Sequence, residues 1–130
     1  MAGAASWFAI VDDDPSVLTA LARLLRACGF HAKTFASAQQ FLAALSDELP
    51  ECLIVDLQMS GMSGLELHQH LTLKGIEIPT IIITAHDNSG VRRRCELAGT
   101  AGYLLKPLDD TALFAAITKV TEGARELVKY

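Results

Sequence analysis

No two cysteines in this chain stand at C-x-x-C spacing. The 3 that exist, Cys28, Cys52 and Cys95, are odd in number and far apart. That argues against a disulfide framework, a zinc knuckle or a dithiol redox centre, and the three read as reduced thiols buried among apolar neighbours. The histidines His31, His68, His70 and His86 lack zinc-ligand spacing as well. Basic charge is also short: 11 Lys and Arg face 15 Asp and Glu, a net charge of -4. A protein that grips nucleic acid without specificity needs cations to neutralise phosphates, so protein partners are expected and direct nucleic-acid binding is not. No apolar run is long enough to cross a bilayer. The first one, from Trp7 to Val11, has no basic flank and ends in three acids, so neither a signal peptide nor a membrane span is expected and a cytoplasmic protein is. Repeats, low-complexity tracts and linkers are missing too. A length of 130 residues, 51% hydrophobic and 20% charged, suits one domain over residues 1–130, with no room for a second.

What the chain does have is a set of short apolar runs that stop abruptly at polar side chains. Leu53-Ile54-Val55 stops at Asp56, Trp7 to Val11 at Asp12, Asp13 and Asp14, Ile81 to Ile83 at Thr84, and Tyr103 to Leu105 at Lys106. Runs this short and β-branched fit strands covered on both faces in a parallel sheet. His31 to Phe35 is weaker and ends in nothing reactive, as an edge strand would. Between the runs lie helical patterns. Pro15 to Cys28 carries Val17, Leu18, Leu21, Leu24 and Leu25, with Asp13 or Asp14 as cap and Gly29 as stop. Ser37-x-x-Gln40 resembles a capping box for a second helix, and Ser63 can cap a third carrying Leu65, Leu67 and Leu71. A fourth, from about Ser89 to Ala98, has only Val91, Cys95 and Ala98 as an apolar stripe and exposes Arg92, Arg93 and Arg94, so it should be the least firmly packed. The fifth, capped by Asp109 or Asp110, turns Leu113, Phe114, Ile117, Val120, Ala124 and Val128 inward.

Alternating strands and helices predict a doubly wound α/β sheet in the flavodoxin-like order 2-1-3-4-5. The carboxyl ends of its strands share one edge, so Asp56 and the Asp12 to Asp14 trio should be neighbours. Like charges gathered there repel: at about 4 Å and an effective dielectric near 20, each pair costs about 4 kcal/mol. A hard divalent cation relieves this and leaves positions open for phosphate oxygens, which makes a Mg2+-dependent phosphoryl site the expectation. Asp56 would be a carboxylate nucleophile, Lys106 a point charge for phosphoryl oxygen and Thr84 a hydroxyl donor. Taken singly, Asp56 reads as a turn former, Asp14 as a helix cap, Lys106 as a surface lysine and Arg92 to Arg94 as a solvated face. Their convergence favours chemistry at Asp56, Thr84 and Lys106.

Ile10-Val11-Asp12-Asp13, Leu53 to Met59, Gly61-Met62-Ser63-Gly64, Ile83-Thr84-Ala85 and Tyr103-x-x-Lys106-Pro107 together resemble the receiver domain of two-component response regulators. The resemblance spans nearly the whole chain. It implies phosphorylation of Asp56 by a phosphohistidine on a sensor histidine kinase or histidine phosphotransferase. It also implies Mg2+ held by Asp13, Asp56 and the Gln58 carbonyl, with Asp12 acting through water, and a cis peptide at Lys106-Pro107. Thr84 and Tyr103 would be the switch residues, altering the face of the fourth helix, fifth strand and fifth helix, through which a homodimer could also form. Gln58 and His86 would flank the hydrolytic water and set the lifetime of the phosphorylated state. The domain would catalyse only its own phosphorylation and dephosphorylation. Two departures stand out. Ser60 occupies the place where the family usually has proline, which bears on metal affinity, and nothing after Tyr130 could form an output domain, so the receiver acts alone or was cut from a longer protein.

A rival reading comes from Asp12-x-Asp14-x-Ser16, Thr84, Lys106 and Asp109-Asp110, similar to the ordered motifs of haloacid dehalogenase-type phosphatases. There Asp12 would be the nucleophile and Asp14 the general acid. It leaves Asp56 without a task.

Overall fold

Each apolar run becomes a strand of one parallel sheet. The computed structural model describes residues 7–129, with side chains as far as residue 122. Its strands are β1 (Trp7–Val11), β2 (His31–Phe35), β3 (Cys52–Asp56), β4 (Thr80–Thr84) and β5 (Gly102–Leu105). Between and after them run α1 (Pro15–Ala27), α2 (Ala38–Ala44), α3 (Gly64–Leu73), α4 (Ser89–Leu97) and α5 (Asp110–Lys129). The sheet order is β2-β1-β3-β4-β5, as the alternation predicts. In register, Val11 stands beside Val55 and Asp56 beside Ile83.

Successive strand residues face opposite sides of the sheet, which splits the core in two. Phe8, Ile10, Ile54, Ile81 and Ile83 pack with Leu21 and Leu25 of α1 and Leu113 and Ile117 of α5. Ala9, Val11, Leu53, Val55 and Ile82 pack with Phe41 of α2, Leu67 and Leu71 of α3 and Cys95 of α4. The three inner strands β1, β3 and β4 are buried on both faces, so their residues form near-continuous apolar runs, whereas edge strand β2 (His31–Phe35) buries only Ala32. Of the inward residues expected on α5, Phe114 is half-buried, and Ala124 and Val128 lie outside the described side chains.

Local signals fix where the helices begin. Asp14 is the α1 cap, its carboxylate accepting from the Ser16 N–H at 2.9 Å with Pro15 opening the helix. Ser37 caps α2 by accepting from the Gln40 N–H, but the Gln40 side chain accepts from Ala36 rather than from Ser37, so the expected box is only half formed. The full capping box is at α3, where Ser63 and Glu66 bond reciprocally at 3.1 and 2.9 Å. Cys52 and Cys95 are buried as expected. Cys28 is not: it is the residue that ends α1, next to Gly29 at φ +91°, and is exposed.

One buried polar link escaped the pattern of the sequence. His68 of α3 bonds the Thr80 hydroxyl through Nδ1 at 3.1 Å and the Ala98 carbonyl through Nε2 at 2.9 Å. It thereby ties α3, β4 and the residue that ends α4.

Candidate functional site

The polar residues that end β1, β3, β4 and β5 gather at one edge of the sheet. After β1 the chain is still held to β2, through the Asp12 N–H and the Phe35 carbonyl. Asp12 is 0% exposed and its Oδ1 accepts from the Asp14 N–H at 2.9 Å. The same turn leaves Asp13 exposed and sends Asp14 to cap α1. Asp56, 5% exposed, ends the central strand beside it. One carboxylate oxygen from each of Asp12, Asp13 and Asp56 lies within 4.8 Å of the others, so the predicted cluster is formed by three acids, and Asp14 is left out of it.

Lys106 reaches this cluster from the end of β5. Its Nζ donates to Asp12 Oδ2 at 2.9 Å and lies 3.6 Å from Asp56 Oδ1. Burial works against the ammonium, but the hydrogen bond to Asp12 and the charges of Asp12 and Asp56 outweigh it and hold the lysine above its ordinary value. For Asp56 the balance runs the other way. Burial, helped by the Asp12 charge, raises its carboxyl above the usual range, and Lys106 and the Gln58 backbone only partly offset this. One lysine therefore faces three carboxylates. This donor set of hard oxygens, acid-rich and partly open, fits a divalent cation such as Mg2+ better than a softer metal. Asp12, Asp13 and Asp56 are the groups brought together to hold it.

Around the cluster, Gln58, Met59 and Ser60 line a cleft of about 880 Å³ shared with Asp13 and Arg94. Thr84 is buried at the end of β4, and its hydroxyl accepts from the His86 N–H at 3.2 Å and lies 3.4 Å from the His86 carbonyl. Among the described residues no hydrogen bond joins it to Asp56. His86 itself is exposed on the loop before α4. Tyr103 turns its hydroxyl into the protein, where it makes no well-formed hydrogen bond, and burial raises it above its ordinary value. The Arg92 guanidinium covers the ring 5.2 Å from its centroid. The Lys106-Pro107 peptide is cis.

Sequence pattern alone missed three contacts: the Lys106–Asp12 pair, the His68 bridge and the Arg92–Tyr103 stack. The first joins residues 94 apart in sequence, and no local spacing could announce it.

Residues 8–118 match the family model described as the response regulator receiver domain, and the chain belongs to that family. Among curated relatives, nodulation protein W of Bradyrhizobium diazoefficiens is 32% identical over 117 residues, covering 90% of this chain and 52% of that protein. The transcriptional regulatory protein FixJ of Rhizobium meliloti is 38% identical over 113 residues, covering 87% of this chain and 55% of that one. The crystal structure of FixJ-N superposes with a TM-score of 0.82 at 36% identity, over 92% of this chain and 96% of that one. The chain thus spans about half the length of the curated relatives it matches. The phosphatase reading gains no support: Asp14 and Asp109 are spent capping α1 and α5, away from the acidic cluster.

Proposed function

We propose that this chain is a phosphorylation switch in which Asp56 accepts a phosphoryl group from the phosphohistidine of a sensor histidine kinase or histidine phosphotransferase. The observation that carries this reading is the three-carboxylate cluster with Lys106 2.9 Å from Asp12 and 3.6 Å from Asp56. An Asp56 carboxylate oxygen attacks phosphorus, the P–N bond of the donor breaks, and its electron pair returns to the imidazole. The product is an acyl phosphate on Asp56. Bound Mg2+, held by Asp12, Asp13, Asp56 and the Gln58 carbonyl, would supply neutralising charge for the phosphoryl oxygens. The chain's own part is positioning and charge, which is most of what phosphoryl transfer requires.

Lys106 then exchanges a carboxylate for a phosphoryl oxygen. Thr84 releases its contacts with His86 and donates to the phosphoryl group, and Tyr103, already turned inward, fills the space behind it. A new dianion biases a two-state surface formed by α4, β5 and α5. That surface would serve a homodimer or an output domain of a longer regulator, in the cytoplasm. No helix of the described residues is long and apolar enough to cross a membrane. Gln58 and His86 flank the approach of water and set how long the acyl phosphate lasts, and the domain catalyses only these two steps on itself.

Intact mass after incubation with a small acyl or amidophosphate donor tests the reading. Parent protein with Mg2+ should gain one phosphoryl group, and Asp56→Asn or chelation of the metal should abolish the gain. Transfer to the Asp56→Asn variant at the parent's rate would sink it. The decay of the phosphorylated form in Gln58→Ala and His86→Ala should differ from the parent's by at least about threefold, a change in barrier of roughly 0.65 kcal/mol or more.

A further inference from the structure

Gly64, the first residue of α3, is buried against the end of the strand that carries Asp56. A Cβ placed on it would stand 2.6 Å from the Asp56 carbonyl oxygen, 3.1 Å from the carbonyl carbon and 3.2 Å from the Leu57 Cα. Carbon and oxygen do not approach so closely, and all three neighbours are backbone, which cannot rotate aside as a side chain can. Gly64 is not among the residues with positive φ, so what it supplies is space. Gly61 in the same loop is of the other kind, at φ +81° and facing only the flexible Gln39 side chain.

What would yield to a methyl group follows from how the two sides are held. Asp56 lies in the central strand, registered with Ile83 of β4, and Leu57 continues the pairing by donating to the Ile83 carbonyl at 2.8 Å. Ahead of Leu67, the first large side chain of α3 to enter the core, the start of the helix is held more lightly, by the Gly64 N–H donating to the Leu57 carbonyl at 3.1 Å and by the Ser63–Glu66 box at the surface. The helix start would therefore move, and the loop from Leu57 to Ser63 with it. Gln58 is in that loop.

We propose that Gly64 is a positioning residue of the phosphoryl site: lacking a side chain, it lets α3 seat on the Asp56 backbone and so sets where the Gln58 carbonyl stands relative to the carboxylates of Asp13 and Asp56. The inference rests on the reading of the site as a Mg2+-dependent phosphoacceptor. Groups that orient a metal's ligands are typically worth about 10–100-fold in affinity, so Gly64→Ala should weaken Mg2+ binding by about that factor. Because the sheet keeps Asp56 in place, phosphorylation by a small acyl phosphate should be slow at low Mg2+ and approach the parent's rate at saturation. Ser63→Ala, which loosens the helix start without adding an atom, should weaken binding in the same direction and by less.

Calorimetric titration of Mg2+ into the full chain and both variants tests this, with metal-free thermal melts and amide exchange over residues 57–63 alongside. A Gly64→Ala protein that binds Mg2+ as the parent does overturns the proposal. So does one whose phosphorylation stays slow at saturating Mg2+, because Asp56 itself would then have moved. Should Gly64→Ala fail to fold, Ser63→Ala decides, and parental affinity there overturns the proposal. A parent that binds no Mg2+ removes the phosphoacceptor reading and this inference together, whereas a parent that binds beside an unimpaired Gly64→Ala removes the inference alone.

Discussion

Helix α1 buries Leu21, Ala22 and Leu25 against the sheet, whereas α4 buries Cys95 alone and leaves Arg92, Arg93, Arg94 and Leu97 exposed. Both are amphipathic segments following strands of the same sheet, and both start at a side-chain cap, Asp14 in one and Asn88 in the other. The difference is how much apolar surface each removes from water, at roughly 1.5–3 kcal/mol per fully buried large aliphatic side chain. Apolar burial thus seats α1 more firmly than α4, although both faces of the sheet carry a core. Helix α4 is held largely by individual polar contacts, which would rearrange at small cost were Asp56 phosphorylated as proposed. That is where a phosphorylation switch needs its movable part.

The largest test of this contrast is a matched pair of truncations. Leu25→Ala should cost about 2–5 kcal/mol in urea denaturation, whereas Val91→Ala on α4 should cost less than about 1 kcal/mol, because Val91 is only half-buried. Equal losses would erase the distinction. A smaller effect is expected from Arg92→Ala. Removing the guanidinium that covers Tyr103 should cost about 0.5–1 kcal/mol and speed amide exchange in α4 while leaving α1 unchanged. The mildest probe is chemical. Exposed Cys28 should react with a thiol reagent at once, and Cys95 only as α4 opens. Cys52 should be slowest, since burial pushes its thiol up to about 12. If Cys95 were as resistant as Cys52, α4 would be as firmly seated as the sheet.

Most of the architecture was legible because it is written locally. Strands end where apolar runs meet Asp12, Asp56, Thr84 and Lys106, and the order β2-β1-β3-β4-β5 is one of the few doubly wound arrangements that right-handed crossovers allow. The acidic cluster was legible for the same reason, since β1 and β3 are neighbours and each delivers an acid to the shared edge. Harder to read was which of several equivalent side chains takes which task. Asp13 and Asp14 are both plausible caps in sequence, and only the path of the turn assigns the cap to Asp14. Glu66 on the surface of α3 bears no mark of a task in sequence and is taken up by the backbone of Ser63. Cys28 looked like core because its neighbours are apolar, but it falls where α1 stops. His68 gave no sign at all: a lone histidine on a helix has no periodicity, and its two partners lie on other elements.

That histidine has a mechanical consequence. The far end of α4 is fastened through the Ala98 carbonyl, while the end nearest the acidic cluster rests on a cap and on the stack of Arg92 over Tyr103. A rod held more firmly at one end swings more readily than it slides. Under the proposed phosphorylation of Asp56, displacement would grow along the helix toward Asn88 and be smallest at Leu97, beside the anchor. A partner reading this face would sense the angle of a lever rather than the sliding of a helix.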